Sequence, residues 1–287
     1  MKKSIFHYCL LFVLALFTVQ FINNLFQRQI EFPNQSKSTI WKNIDEELFK
    51  KNLENNLDAT LHLYQGSGTN LCGFAAVTYH FIKHNPKEYN RMIMELYNNG
   101  ETYTVSGSLL KPSTEILNYA GTIKNKGRLD LNHADQLWFL TLADHYKGYV
   151  NTFNWTYEYG DESTTWASTN LNKFNNMWSD LIGKEVNSNG SDLIRPSIDK
   201  YYDYIHDLKN NYTIMLYLNN TVLNKRNFSS ITFPIPTHFV ELYDLYPAGD
   251  YYILEYWDYG LKTKEIIDKE KFNKIIYGIS YVKKDTL

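Results

Sequence analysis

The spacing of apolar residues changes once along this chain, and that change sets the fold class. Up to Tyr146 apolar side chains recur at helical spacing. From Thr213 onward they alternate, as strands do. In the first part, residues 45–56 read as a short helix. Residues 72–84 bring Phe74, Val77 and Phe81 onto one face and read as a buried helix. Pro86 opens another, with Tyr89, Met92, Ile93, Leu96 and Tyr97 together, and Gly100 closes it. Lys111-Pro112-Ser113 places a cap before a helix reaching Tyr119, and residues 132–146 form a further strong helix. Residues 150–195, rich in Asn and aromatics, read as an irregular cover.

In the last third, residues 213–218 alternate as a strand. Two β-rich runs, Thr237–Tyr246 and Tyr251–Trp257, flank Pro247-Ala248-Gly249-Asp250 and predict a hairpin. Residues 274–282 give one more strand. Helices followed by antiparallel strands define an α+β arrangement. At 287 residues and 44% hydrophobic, the chain can build one large core or two small ones. A net charge of -2 carries no polyanion signature, which sets nucleic acid aside as a partner.

The N-terminus has Lys2 and Lys3 ahead of an apolar run from Ile5 to Val19. This fits the n-region and ~7–15-residue h-region of a secretory signal. Gln20, Asn23 and Asn24 interrupt the extension to Phe26, and no small-x-small cleavage site follows, so an uncleaved anchor stays open beside a signal. A buried N-terminal helix is the plainer alternative. The predicted organisation is a signal peptide or membrane anchor over 1–26, with membrane anchoring through residues 5–26. A polar linker follows over 27–45, then a folded domain over 46–287. The expected location is exported: periplasmic, extracellular or membrane-anchored.

The cysteines sharpen the reading. Cys9 lies in the N-terminal apolar run, which leaves Cys72 as the one thiol of the folded part. It stands where a Gly-rich turn, residues 65–70, meets the buried helix. A helix N-terminus stabilises a thiolate, so this is a position for a nucleophile. Taken alone, an inert buried cysteine explains it equally well. A nucleophilic thiol also needs a base, a group that orients the base, and oxyanion donors. His238 opens a strand after Pro234-Ile235-Pro236-Thr237. Asp258 ends the paired strand, where the hairpin can bring the two side by side; Glu255 and Asp244 are the competing orienters. Gln65 lies upstream in the turn, and its amide can serve an oxyanion together with the Cys72 N–H. His80 and His84 have a spacing that suits a metal, but no Cys or Glu motif joins them, so neither metal nor cofactor is expected. Around His133, Asp135 and Asp144, capping or surface roles are expected. The aromatics from Trp155 to Trp166 fit core packing better than a substrate cleft.

Gln65, six residues, then Cys72-Gly73-Phe74-Ala75-Ala76, with a late His238-Phe239-Val240 and Trp257-Asp258-Tyr259-Gly260, resembles the papain-like cysteine peptidases. The bacterial secreted effector and toxin branches with Cys-His-Asp triads are nearest in style. The resemblance covers about residues 60–100 and 213–283. It implies a helical lobe carrying Cys72 as nucleophile and a β lobe carrying His238 as general base and acid, with Asp258 as orienter and Gln65 in the oxyanion hole. It departs from many members in having Cys72-Gly73-Phe74 where Ser-Cys-Trp is common, and from papain in having Asp for Asn at the third position. The implied function is thiol-dependent hydrolysis of amide bonds in a protein or peptide substrate. Acyl transfer or deamidation by the same thiol, or an inactive binding module on the same fold, are the alternatives.

Overall fold

Each long helix begins and ends where its sequence supplies the necessary groups. The computed structural model describes residues 38–66, 68–124, 131–149, 156–219 and 237–284. Helix α1 (Glu46–Asp58) starts at Asp45, whose carboxylate accepts the Leu48 N–H at 2.8 Å. Helix α2 (Cys72–His84) starts at Leu71, which has no side-chain cap. Helix α3 (Pro86–Asn99) has Pro at its first position and ends on Gly100, in the left-handed region at φ 72°. Two short strands, β1 (Thr102–Tyr103) and β2 (Leu109–Leu110), pair before α4 (Thr114–Tyr119). Ser113 occupies the cap position of α4, but its hydroxyl makes no capping bond. Helix α5 (His133–Tyr146) opens on a capping box between Asn132 and Asp135.

The stretch read as irregular cover contains regular structure. Helix α6 (Leu171–Ile182) is capped by the Asn170 side chain on Lys173 N–H at 2.9 Å and ended by Gly183 at φ 66°. Strand β3 (Asn187–Gly190) and helix α7 (Tyr201–Lys209) follow. The core also reaches back into the stretch read as linker, because Trp41 and Ile44 are fully buried. Trp41 donates its indole N–H to the Leu96 carbonyl at 2.8 Å.

The remaining elements are β4 (Tyr212–Leu218), β5 (His238–Ala248), β6 (Tyr251–Asp258), β7 (Leu261–Asp268), α8 (Lys269–Ile275) and β8 (Ile276–Lys283). They complete an antiparallel six-stranded sheet in the order β3-β8-β4-β5-β6-β7. Both faces of its centre are covered. Met215, Tyr217, Phe239 and Trp257 join the large core built with α1–α6. Ile214, Leu216, Val240 and Leu242 alternate with them and pack with Ile205 of α7 and Phe272 of α8. The architecture is therefore mixed α+β. Residues 1–37, including the apolar segment expected to be a signal or anchor, lie outside the described residues. Among the described residues no helix is long and apolar enough to cross a membrane.

Candidate active site

Strands β5 and β6 are antiparallel, so the first residue of one and the last residue of the other lie at the same end of the hairpin. Those residues are His238 and Asp258. The register pairs Glu241 with Trp257. The His238 and Asp258 side chains meet: His238 Nε2 lies 2.6 Å from Asp258 Oδ1, and both residues are buried. With Nε2 engaged there, Nδ1 is the ring nitrogen left to face Cys72.

Cys72 is the first residue of α2, which packs against β5. Its sulfur lies 3.8 Å from the Thr237 carbonyl oxygen and is also hydrogen-bonded to the His238 ring and the Phe239 N–H. Burial pushes the thiol pKa up. The charge and hydrogen bond of His238, joined by the Phe239 N–H, outweigh that effect and bring it below the ordinary thiol value. The opposite shift appears on the imidazole. Burial alone would lower its pKa, but Asp258 and Cys72 together raise it, to about 10. Both shifts favour the thiolate–imidazolium pair over the neutral pair near neutral pH. Leu71 provides no side-chain cap, so it leaves the first-turn N–H groups of α2 to other partners.

The competing orienters are engaged elsewhere. Asp244 pairs with Lys209 at 2.6 Å. Glu255 is held by Lys262 at 2.8 Å and by the Tyr246 hydroxyl at 3.0 Å. Neither touches His238. Gln65 is buried, 3% exposed, in the turn that leads to Cys72. The Gln65 backbone carbonyl accepts the Thr69 hydroxyl at 2.7 Å, and Gly66 adopts φ 90° against Leu131. Asn70 ties this turn to the Ser163 and Thr164 carbonyls at 3.2 and 2.8 Å. No hydrogen bond joins the Gln65 amide to Cys72 among the described residues.

Two features of the site had no assigned role in the sequence. Tyr259 stacks on the His238 ring, with centroids 5.1 Å apart, and covers the His–Asp pair. It holds this position at φ 48°, a conformation rare for a non-glycine residue. Trp257 donates its indole N–H to the Leu61 carbonyl at 3.0 Å and stacks on Tyr79 of α2, which fixes the end of β6 against the nucleophile helix. A cleft of about 710 Å³ opens at Cys72 and Gly73, walled by Tyr149, Tyr217, Phe239, Leu193 and Ile194, with Asp192 at its edge. The last three wall and edge positions, 192–194, fall in the stretch read as irregular cover. Trp166 is buried in the core, edge-on to Tyr157, rather than in the cleft wall.

His80 and His84 are neighbours on α2, but His80 Nδ1 lies 3.1 Å from the buried Glu241 carboxylate. Among the described residues no group of His, Cys, Asp and Glu is arranged to hold a metal ion. No protein-family model matches the chain, and no curated protein matches it in sequence.

Proposed function

We propose that this protein is a papain-like thiol hydrolase that cleaves amide bonds in a protein or peptide substrate. The observation that carries this reading is the convergence of Cys72, His238 and Asp258, with thiol and imidazole pKa values displaced in opposite directions. An inert structural cysteine does not need a doubly engaged histidine beside it. Placing the nucleophile on a helix and the base on a sheet hairpin is also the division of labour in the papain-like fold.

The chemistry follows from the geometry. His238 takes the Cys72 proton, and the thiolate attacks the substrate carbonyl carbon. The carbonyl becomes an oxyanion, served by the Cys72 N–H and the Gln65 amide. The C–N bond then breaks as His238 returns the proton to the leaving amine. A thioester remains on Cys72. Water, deprotonated by His238, attacks it; the C–S bond breaks and the thiol is restored. Asp258 holds the imidazole so that Nδ1 faces the sulfur throughout. The cleft beside Cys72 is where the acyl part of the substrate lies, and Tyr259 keeps bulk water from the His–Asp bond.

The test is covalent labelling. An electrophilic peptide probe such as a peptidyl acyloxymethyl ketone is expected to add one equivalent at Cys72 at neutral pH. Labelling should be abolished by Cys72→Ala and slowed at least ~100-fold by His238→Ala, the scale of a lost acid–base partner. Labelling of the native protein no faster than of the urea-unfolded chain overturns the proposal.

A further inference from the structure

A second cavity, of about 480 Å³, lies at the opposite end of α2 from Cys72. Five lysines line it: Lys83 from the last turn of α2, Lys184 after α6, Lys209 at the end of α7, and Lys283 and Lys284 at the end of β8. The acidic group in its wall is Glu241, which is already held by His80 at 3.1 Å and Lys83 at 3.0 Å. Lys209 is paired with Asp244 at the margin. The Lys283 backbone pairs with Tyr212 of β4, but its ammonium has no hydrogen bond or ion pair among the described residues. The Lys284 ammonium donates to the Lys209 carbonyl at 2.7 Å and its backbone N–H to the Asn211 carbonyl at 2.9 Å, so among the described residues its charge meets no carboxylate.

This excess of cations stands out in a chain of net charge -2. Like charges gathered around a concave, low-dielectric wall repel one another and raise the local positive potential. A bound anion removes that repulsion. The volume falls in the ~300–1,000 Å³ range of small-molecule sites. It is concave rather than flat, which fits a compact solute better than a membrane surface.

We propose that this cavity binds a small soluble anion bearing more than one phosphate group. Lys283 and Lys284 contact it from β8 and Lys184 from the facing wall, while the Glu241 pair forms a neutralised floor. The ligand would touch α2 and β5, the two elements that carry Cys72 and His238.

Calorimetric titration of the full chain with tripolyphosphate, at ionic strength fixed with potassium chloride, tests this. The expected result is saturable binding at one site, with a melting temperature that rises with ligand concentration. The double substitution Lys283→Gln/Lys284→Gln should weaken binding at least ~10-fold, the scale of two lost charge-assisted contacts. Lys184→Gln should also weaken it. Lys50→Gln/Lys51→Gln, on the exposed face of α1, should change it less than ~2-fold, because screened charges far from the site contribute little. Absence of saturable binding, or equal loss in the α1 control, overturns the site. Binding to phosphatidylglycerol vesicles that depends on Lys283 and Lys284, without tripolyphosphate binding, would assign the patch to a membrane and overturn the proposal as well.

Discussion

Asp258 does two separable things for His238, and a single substitution can show both. It accepts from Nε2 at 2.6 Å, which fixes the ring, and its negative charge raises the imidazole pKa. Because that pKa is raised, to about 10, the imidazolium that must protonate the leaving amine is present below it and lost as pH rises through it. Asp258→Asn keeps the size but removes the charge. Turnover should fall about 100-fold or more, and the alkaline limb of the pH–rate profile should move to lower pH. Glu255→Gln, in a side chain held by surface lysines, should leave both unchanged. Measuring kcat/KM against pH for both variants checks this, and equal sensitivity at Glu255 would reverse the assignment of the third residue. The sequence could offer Asp258, Glu255 and Asp244 but could not choose between them. The choice depends on which carboxylate reaches the imidazole and which finds a lysine first. Tyr259 was beyond the sequence for a different reason. A tyrosine before glycine carries no signal that it will take φ 48° and cover a histidine ring.

The helix that presents the thiol has a constraint at its second residue. Gly73 is in the first turn of α2, where alanine would favour the helix by about 1 kcal/mol. A Cβ there would lie 2.6 Å from the Thr169 methyl and 3.1 Å from the Phe239 ring. Phe239 is sandwiched between Phe174 and Tyr217, with centroids 4.0 Å from each, so it cannot give way easily. Gly73→Ala is therefore expected to lower stability by about 1–3 kcal/mol, the usual cost of overpacking, despite its better helix propensity. It should also slow Cys72 alkylation, because the start of α2 must shift away from β5. Denaturant melts and iodoacetamide kinetics measure the two effects, and a more stable, equally reactive variant would show that the helix start is not held this tightly. The elements most legible in the sequence were those with a strong period and a punctuating residue: α2 after the Gly-rich turn, α3 between Pro86 and Gly100, and the β5–β6 hairpin. Helix α6 carries the same signals, with Leu171, Phe174, Met177, Trp178 and Leu181 buried between an Asn170 cap and Gly183. Its Asn-rich polar face masked them. Strand β3 reads Asn187-Ser188-Asn189-Gly190 and is exposed throughout. It pairs with β8 through its backbone, so no side-chain pattern announces it.

Beyond the Cys72–His238–Asp258 site, the helical core and the sheet are joined by apolar packing and by a buried charge cluster around Glu241. Glu241 on β5 is 2% exposed and accepts from both His80 and Lys83 of α2. Burial raises its pKa, but those two partners outweigh burial and bring it below the ordinary glutamate value. A carboxylate with a lowered folded pKa stabilises the fold fully above its unfolded value, 4.5, and loses that contribution as pH falls through the folded pKa. Glu241→Gln keeps the shape and removes the charge that holds Lys83. Breaking one side of a buried pair costs about 3–5 kcal/mol. Lys83 is 39% exposed and can rehydrate, which places this case near about 3 kcal/mol. The loss should be greatest at neutral pH. It should shrink as pH drops below the ordinary glutamate range, because the wild-type carboxylate is then neutralised too. Urea unfolding of both proteins across that range measures the difference directly. A gap that stays constant with pH would mean that Glu241 contributes through shape and packing, and that charge does not join α2 to β5.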